Sequence, residues 1–201
     1  MYKLNYDLVS DLAPVILLPS SPQLIVVSRK IPATSMSELV AWLKTHHAAA
    51  GTAGAGSASH VGGLLLQKVT GTQFTFVPYR GAGLALQDLI AGQIDLMLDQ
   101  PPNSLPHVRD GKIRALAVTS DKRLEAAPEI PTVDEVGLNG LYVSVWYGFW
   151  LPKDTPKDVV TKLNAAASAA LDDPELRKQF AALGQEVPSQ EQRTPSALAA
   201  L

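Results

Sequence analysis

Phe74-Thr75-Phe76-Val77, then Pro78-Tyr79-Arg80-Gly81, then a helical stretch from about Gly83 to Ala91, then Ile94-Asp95-Leu96-Met97-Leu98 form the passage that decides the fold. Two short apolar, partly β-branched runs flank a turn and a helix, so the unit reads strand, loop, helix, strand. It continues in kind: Asp99-Gln100-Pro101-Pro102 leads to a helix ending near Gly111, and Ile113 to Val118 supplies another strand. Strands alternating with helices of this length predict an α/β fold with a mainly parallel sheet and right-handed crossovers. Ligands of such sheets bind at the carboxyl ends of the strands.

Upstream, Ala13 to Ser28 is apolar and β-branched but carries Pro19-Ser20-Ser21-Pro22, so two strands separated by a break there are expected. Ser35 and Glu38 have capping-box spacing, and Leu39, Val40, Trp42 and Leu43 supply one apolar face, which predicts a helix to about Thr45. Downstream, a Pro-rich passage at Pro128 and Pro131 precedes a short helix expected over Val133 to Val136. Leu141 to Leu151 reads as an aromatic-rich strand. Helices are expected from Thr155, with Pro156 in its first turn, and from Asp173-Pro174 to Leu183-Gly184. Val187 to Leu201 is weakly patterned.

The 201 residues carry a net charge of −2, with 46% hydrophobic and 18% charged residues, and no cysteine. That length buries a real core in one large or two small domains. Near-neutral charge without a polybasic run removes the electrostatic footprint of a nucleic-acid binder. Zero cysteine excludes disulfides, thiolate metal sites and a Cys nucleophile, and leaves the compartment open. Met1-Tyr2-Lys3-Leu4-Asn5-Tyr6-Asp7 has neither the basic nor the apolar region of an export signal.

Gly51-Thr52-Ala53-Gly54-Ala55-Gly56-Ser57-Ala58-Ser59-His60 is the richest candidate site. Its glycines let backbone approach a ligand, the following helix start offers free N–H groups to an anion, and Thr52, Ser57 and Ser59 add hydroxyls. The same residues also read as a tight turn with Ser57 or Ser59 as N-cap. The run matches neither the phosphate-binding P-loop nor a dinucleotide fingerprint. Ser57, Ser59 and His60 lack a nucleophile-elbow sequence, and His46, His47 and His107 lack metal-ligand spacing and read as surface side chains. No catalytic residue, metal or cofactor is expected. Tyr79-Arg80-Gly81-Ala82-Gly83 is a second loop at a strand-to-helix junction, where Arg80 could pair with a carboxylate. Asp99 reads first as a helix cap and second as a reader of a ligand amine or hydroxyl. Trp146 and Tyr147 read as core or as the wall of a cleft.

Gly56-Ser57-Ala58-Ser59-His60, Val77-Pro78-Tyr79-Arg80-Gly81, Asp88 to Asp95, Leu105-Pro106-His107, Gly111 to Thr119, Pro131-Thr132-Val133 and Trp146-Tyr147-Gly148, in this order, resemble the substrate-binding proteins of tripartite tricarboxylate transporters, the Bug or TctC receptors. The resemblance extends to about Leu183. It implies a type II periplasmic-binding-protein-like fold of two α/β domains closing on a small mono-, di- or tricarboxylate. Backbone amides, hydroxyls and waters at helix starts would hold the acid, and membrane permease subunits would receive it in the periplasm. Carried over by position, the contacts are Thr52, Gly54, Gly56, Ser57, Ser59, His60, Tyr79, Arg80 and Gly81, with Asp99 and Trp146 nearby. Residues 1–20 and 120–201 would form the first domain, and 21–119 the second.

Family members begin with a signal peptide, a first strand and a glycine-rich loop, whereas this sequence starts downstream of all three, and Pro188 to Leu201 departs from the family's long final helix. The first domain is therefore expected to be incomplete, self-associating through exposed apolar surface and weak in ligand binding. The alternative reading is the ligand-sensing effector domain of a transcription regulator, which shares the two-lobed design.

Overall fold

Leu24-Ile25-Val26-Val27-Ser28 forms strand β2, fully buried, with successive side chains facing opposite sides of a sheet. Ile25 and Val27 pack with Met36, Leu39, Leu43 and Leu66, while Leu24 and Val26 pack with Ala85, Leu86, Leu89 and Leu105. A strand that is apolar on both sides requires a helix layer on each side, and this chain supplies both. The computed structural model describes residues 5–7 and 9–201. Met1 to Leu4, part of the N-terminal stretch read above for an export signal, and Leu8 lie outside the described residues.

The five-stranded sheet has the order β4-β3-β5-β2-β6, with β3 at Ala49–Thr52, β4 at Thr75–Pro78, β5 at Leu96–Asp99 and β6 at Ile113–Val118. β3 pairs in parallel with β4 and β5, and β2 pairs antiparallel with both β5 and β6. One face carries α1 (Met36–Leu43) and α2 (Ala58–Thr70). The other carries α3 (Ala82–Ala91) and α4 (Pro101–Arg109). Two of the four pairings are parallel and two antiparallel, so the sheet expected to be mainly parallel is a mixed one in which β2 runs against the other four strands. Ser35 caps α1 by accepting from Glu38 N–H, but Glu38 Oε2 accepts from Thr34 N–H and hydroxyl at 2.6 and 2.9 Å, one residue earlier than a capping box requires.

The chain divides into two compact units. Unit 2 runs from Pro22 to Val145, and unit 1 holds the chain up to Ser21 and from Trp146 to Leu201. Residues 120–145, assigned on sequence to the first domain, pack in unit 2. Val118 N–H donates to Pro131 O, and Val133 N–H returns to Val118 O. Leu124, Ala127 and Ile130 enter one core cluster of that unit, and Val133, Leu138 and Leu141 the other. The helix expected at Val133 to Val136 is a single turn closed by Leu138 N–H to Val133 O.

β1 (Leu12–Pro22) and β7 (Ser144–Pro152), which lie in unit 1 except for Pro22, Ser144 and Val145, form a two-stranded sheet. Pro19 and Pro22 lie inside β1 instead of breaking it. A two-stranded ribbon has only edges, where a missing N–H breaks no central ladder. Val15 and Ile16 pack with Leu171, Val160 and Leu163 of α5 (Lys157–Asp172) and with Phe180 of α6 (Pro174–Ala182). The weakly patterned tail forms a short 3₁₀ turn and α7 (Pro195–Ala199). They are anchored by buried Arg193, which donates to Pro188 O, Ser168 O and Asp172.

Candidate functional site

The parallel strands β3, β4 and β5 end at one edge of the sheet, and their loops meet there. Gln23 reaches the same edge because β2 runs the other way: Leu24 registers with Asp99 on β5 and with Val118 on β6. Its backbone is fixed by N–H donation to Thr119 Oγ1 at 2.9 Å and to Val143 O at 3.2 Å, and by accepting from Thr119 N–H at 2.8 Å. A hollow of about 190 Å³ opens at this edge, lined among others by Gln23, Ser57, Ser59, Ala82 and Asp99.

The loop after β3 is laced by its own hydroxyls. Ser57 Oγ donates to Gly54 O at 2.7 Å and accepts from His60 N–H. Ser59 Oγ accepts from Ala53 N–H at 2.9 Å and lies 3.0 Å from Ser57 Oγ. Buried Thr52 accepts from Gly54 N–H, and Gly56 N–H donates to His60 Nδ1 at 3.2 Å. Gly54 holds a φ of +123°, where a side chain would be strained. The hydroxyls read as ligand donors thus build the loop. What the start of α2 leaves over are the N–H groups of Ala58 and Ser59, which no preceding helical carbonyl reaches.

The second loop behaves likewise. Tyr79 N–H donates to Thr52 O at 2.9 Å, tying the two loops together, and the Tyr79 hydroxyl donates to Asp88 Oδ2 at 2.7 Å. Burial and that bond push the phenol up to about 12, so it stays a donor to Asp88. Gly81, also at φ +123°, is the N-cap of α3 and provides no side-chain cap, leaving the first N–H groups of that helix uncapped beside Ala82. Arg80 is exposed and makes no hydrogen bond or ion pair among the described residues.

Asp99 is 2% exposed at the end of β5. It is not the N-cap of α4, a position held by Gln100. Instead it accepts from Ser104 Oγ at 2.6 Å and Asn103 Nδ2 at 3.2 Å. Burial raises its carboxyl above the ordinary 3.8, opposed by those bonds, by the Gln100 N–H and by His107. His107, read as a surface side chain, is half-buried on α4 with Nδ1 unpartnered. Trp146 belongs to unit 1 and is 46% exposed.

Of the residues singled out on sequence, Ser57, Ser59 and Asp99 line the hollow, while Thr52, Gly54, Gly56, His60, Tyr79 and Gly81 shape the two loops around it. The hollow also takes in Ala53, Ala58 and Ala82 from within the two loops, and Gln23, Leu98, Gln100 and Val145, which lie outside the loops read as candidate sites. Gln23 sat beside a supposed break, and only the strand direction of β2 brings it here. Gln23 is 2% exposed, and its Oε1 has no hydrogen-bond partner.

A family described as the tripartite tricarboxylate transporter family receptor matches residues 1–200. A protein of Agrobacterium vitis, described as a UPF0065 protein in the TAR-I ttuE-ttuC' intergenic region, is 40% identical over 197 residues. These cover 97% of this chain and 57% of that protein, so the chain spans little more than half its length. MatC of Rhodopseudomonas palustris, solved with bound malate, superposes with a TM-score of 0.90 at 39% identity, over 100% of this chain and 69% of that one. The periplasmic binding protein BugD superposes at 0.87 with 37% identity, over 94% and 64%. The fold is thus that of periplasmic binding proteins, and the chain belongs to the tripartite tricarboxylate transporter receptor family.

Proposed function

We propose that this chain works as a solute receptor that captures a small mono-, di- or tricarboxylate and passes it, chemically unchanged, to membrane permease subunits of a tripartite tricarboxylate-type transporter in the periplasm. The observation that carries the reading is the convergence of two helix starts, α2 and α3, on one small hollow at the carboxyl edge of the sheet. Uncommitted N–H groups and the positive ends of both helix dipoles suit a carboxylate there. MatC, a relative with the same fold, was solved with malate, and BugD is described as periplasmic. Both support the assignment of ligand class and compartment.

Binding to the native state alone raises apparent stability. A thermal-shift series with small carboxylates should therefore raise the melting temperature in a dose-dependent way. Amides of the same carbon skeletons should leave it unchanged. A shift produced equally by the amides, or by none of the acids, overturns the reading.

A further inference from the structure

Leu138-Asn139-Gly140-Leu141 is a turn of unit 2 that the candidate site does not use. Leu141 N–H donates to Leu138 O at 3.2 Å and closes it, and Gly140 takes a φ of +85°, where a side chain would be strained. Asn139 and Gly140 are exposed, whereas Leu138 and Leu141 are buried in one core cluster with Val133. Among the described residues, Gly140 N–H donates to no acceptor and the Asn139 side chain makes no hydrogen bond.

An asparagine Cγ and the next backbone nitrogen stand at the two ends of a five-membered ring that lacks only the bond between them. A side chain on the next residue hinders its closure, and a hydrogen bond on that nitrogen holds it back. Gly140 has neither, and nothing stands within 4 Å of where its Cβ would be. The other asparagines of the chain are held or hindered. Asn164 lies in α5 and donates to Val15 O and Arg193 O. Asn103 lies in α4 and donates to Asp99, and the nitrogen that follows it, of Ser104, donates to Gln100 O. Asn5 is followed by the bulky Tyr6.

We infer that Asn139 is a site of spontaneous covalent modification, at which this turn converts to aspartate and isoaspartate. The Gly140 nitrogen loses its proton to hydroxide and bonds to Asn139 Cγ. The Cγ–Nδ2 bond breaks, ammonia leaves, and a cyclic imide remains. Water then opens the imide. Opening at Cγ restores the ordinary main chain with a carboxylate side chain, and opening at the main-chain carbonyl reroutes the chain through Cγ as isoaspartate. One water is consumed and one ammonia released, and either product adds one negative charge to the −2 of the chain. Isoaspartate also lengthens the main chain by one carbon between two leucines already seated in the core. Two residues further on, Val143 N–H donates to Thr119 O, and Val143 O accepts from Gln23 N–H and Thr119 Oγ1, so a shift of Leu141 is carried toward β2.

The test is warm incubation of the 201-residue chain at mildly acid and mildly alkaline pH, followed by anion exchange and tryptic mapping. Peptide Leu124 to Lys153 contains Asn139 and no other amide side chain, so its mass reads the site directly. A more acidic species should accumulate, faster at alkaline pH, with the change in that peptide and methylation by a protein isoaspartate methyltransferase. Its rate should lie within about tenfold of that of the urea-unfolded chain, as for an exposed turn that opens locally at little cost. Asn139→Gln, which would have to close a six-membered ring, should abolish the species. The isolated isoaspartate form should melt about 2–4 °C below the parent, the size of one lost core or turn contact in a chain of this length. Conversion only in urea, conversion at Asn5, Asn103 or Asn164 as fast as at Asn139, or the same acidic species from Asn139→Gln overturns the inference. An isoaspartate form that melts with the parent overturns its structural consequence.

Discussion

Gly51→Ala is expected to destabilise the protein although it replaces a strand glycine with a better-behaved residue. Gly51 sits on β3, opposite Val77 of β4 and Met97 of β5. A Cβ there would press into Ile94 Cδ1 and stand 3.1 Å from Ala85 Cβ and 3.6 Å from Tyr79 Cε2. Ile94 can swing its terminal methyl only within a packed core, and Ala85 has no rotamer to change, so α3 must shift outward by a few tenths of an ångström. Overpacking of this kind costs about 1–3 kcal/mol. Removing the glycine from a strand recovers about 0.5–1 kcal/mol. The net loss is therefore between about 0 and about 2.5 kcal/mol, centred near 1.

Ile94→Val deletes the offending methyl and by itself costs about 0.5–1.5 kcal/mol. In the double variant the new methyl fills the space of the old one, so the two changes should be coupled favourably by about 1 kcal/mol or more. Urea denaturation of the four proteins, followed by circular dichroism, measures the cycle. A double variant whose loss equals the sum of the single losses within about 0.5 kcal/mol, or a Gly51→Ala protein more stable than the parent, would refute the packing argument.

Asp99 ionises less readily in the folded protein than its ordinary 3.8 because it is buried, so its stability contribution falls as pH rises from 3.8 through the raised value. Asp99→Asn should lack that fall, and a pH series of denaturation curves with no change in the wild-type-to-variant difference across this window would oppose it. Glu135 behaves in the opposite sense: Arg123 and the Thr132 N–H hold its carboxyl at about 2 instead of 4.5. Its contribution is present above pH 4.5 and disappears as pH falls toward 2, so the stability gap between wild type and Glu135→Gln should close over that range, and narrow in high salt because the pair is exposed. Ser57→Ala removes the cap of α2 and the bond to Gly54 O, and should cost about 1 kcal/mol in the same assay.

The alternation of strands, turns and helices from Phe74 to Val118 was legible because each element there has its own local cue: β-branched or apolar runs, then turn residues, then a helical stripe. The direction of β2 was not, since Leu24-Ile25-Val26-Val27 is equally apolar read either way, and strand direction is settled by partners far along the chain. Pro19 and Pro22 misled for a related reason: a proline forbids a central strand position, and the sequence does not say that β1 pairs with a single strand, β7, with only Ser20 bridged to Glu186 besides. At the candidate site the loops announced themselves through glycine and serine. The roles within them did not, because the hydroxyls of Ser57, Ser59 and Tyr79 are spent on loop construction. Gln23, an isolated polar residue between strands, carried no local signal at all.

β2 also bears on how the chain acquires its fold. Its ladder partners are Leu96 to Asp99 and Ile113 to Val118, so the most completely buried strand of unit 2 emerges first and waits for the synthesis of most of that unit before either neighbour exists. During that interval Leu24 to Val27 is an unpaired apolar edge on a nascent chain, the kind of segment that chaperones hold and that aggregates when they do not. Pairing over such separations is slow, so closure of the sheet around β2 is the expected late step of folding. Yield on refolding should therefore fall with protein concentration sooner than final stability would suggest.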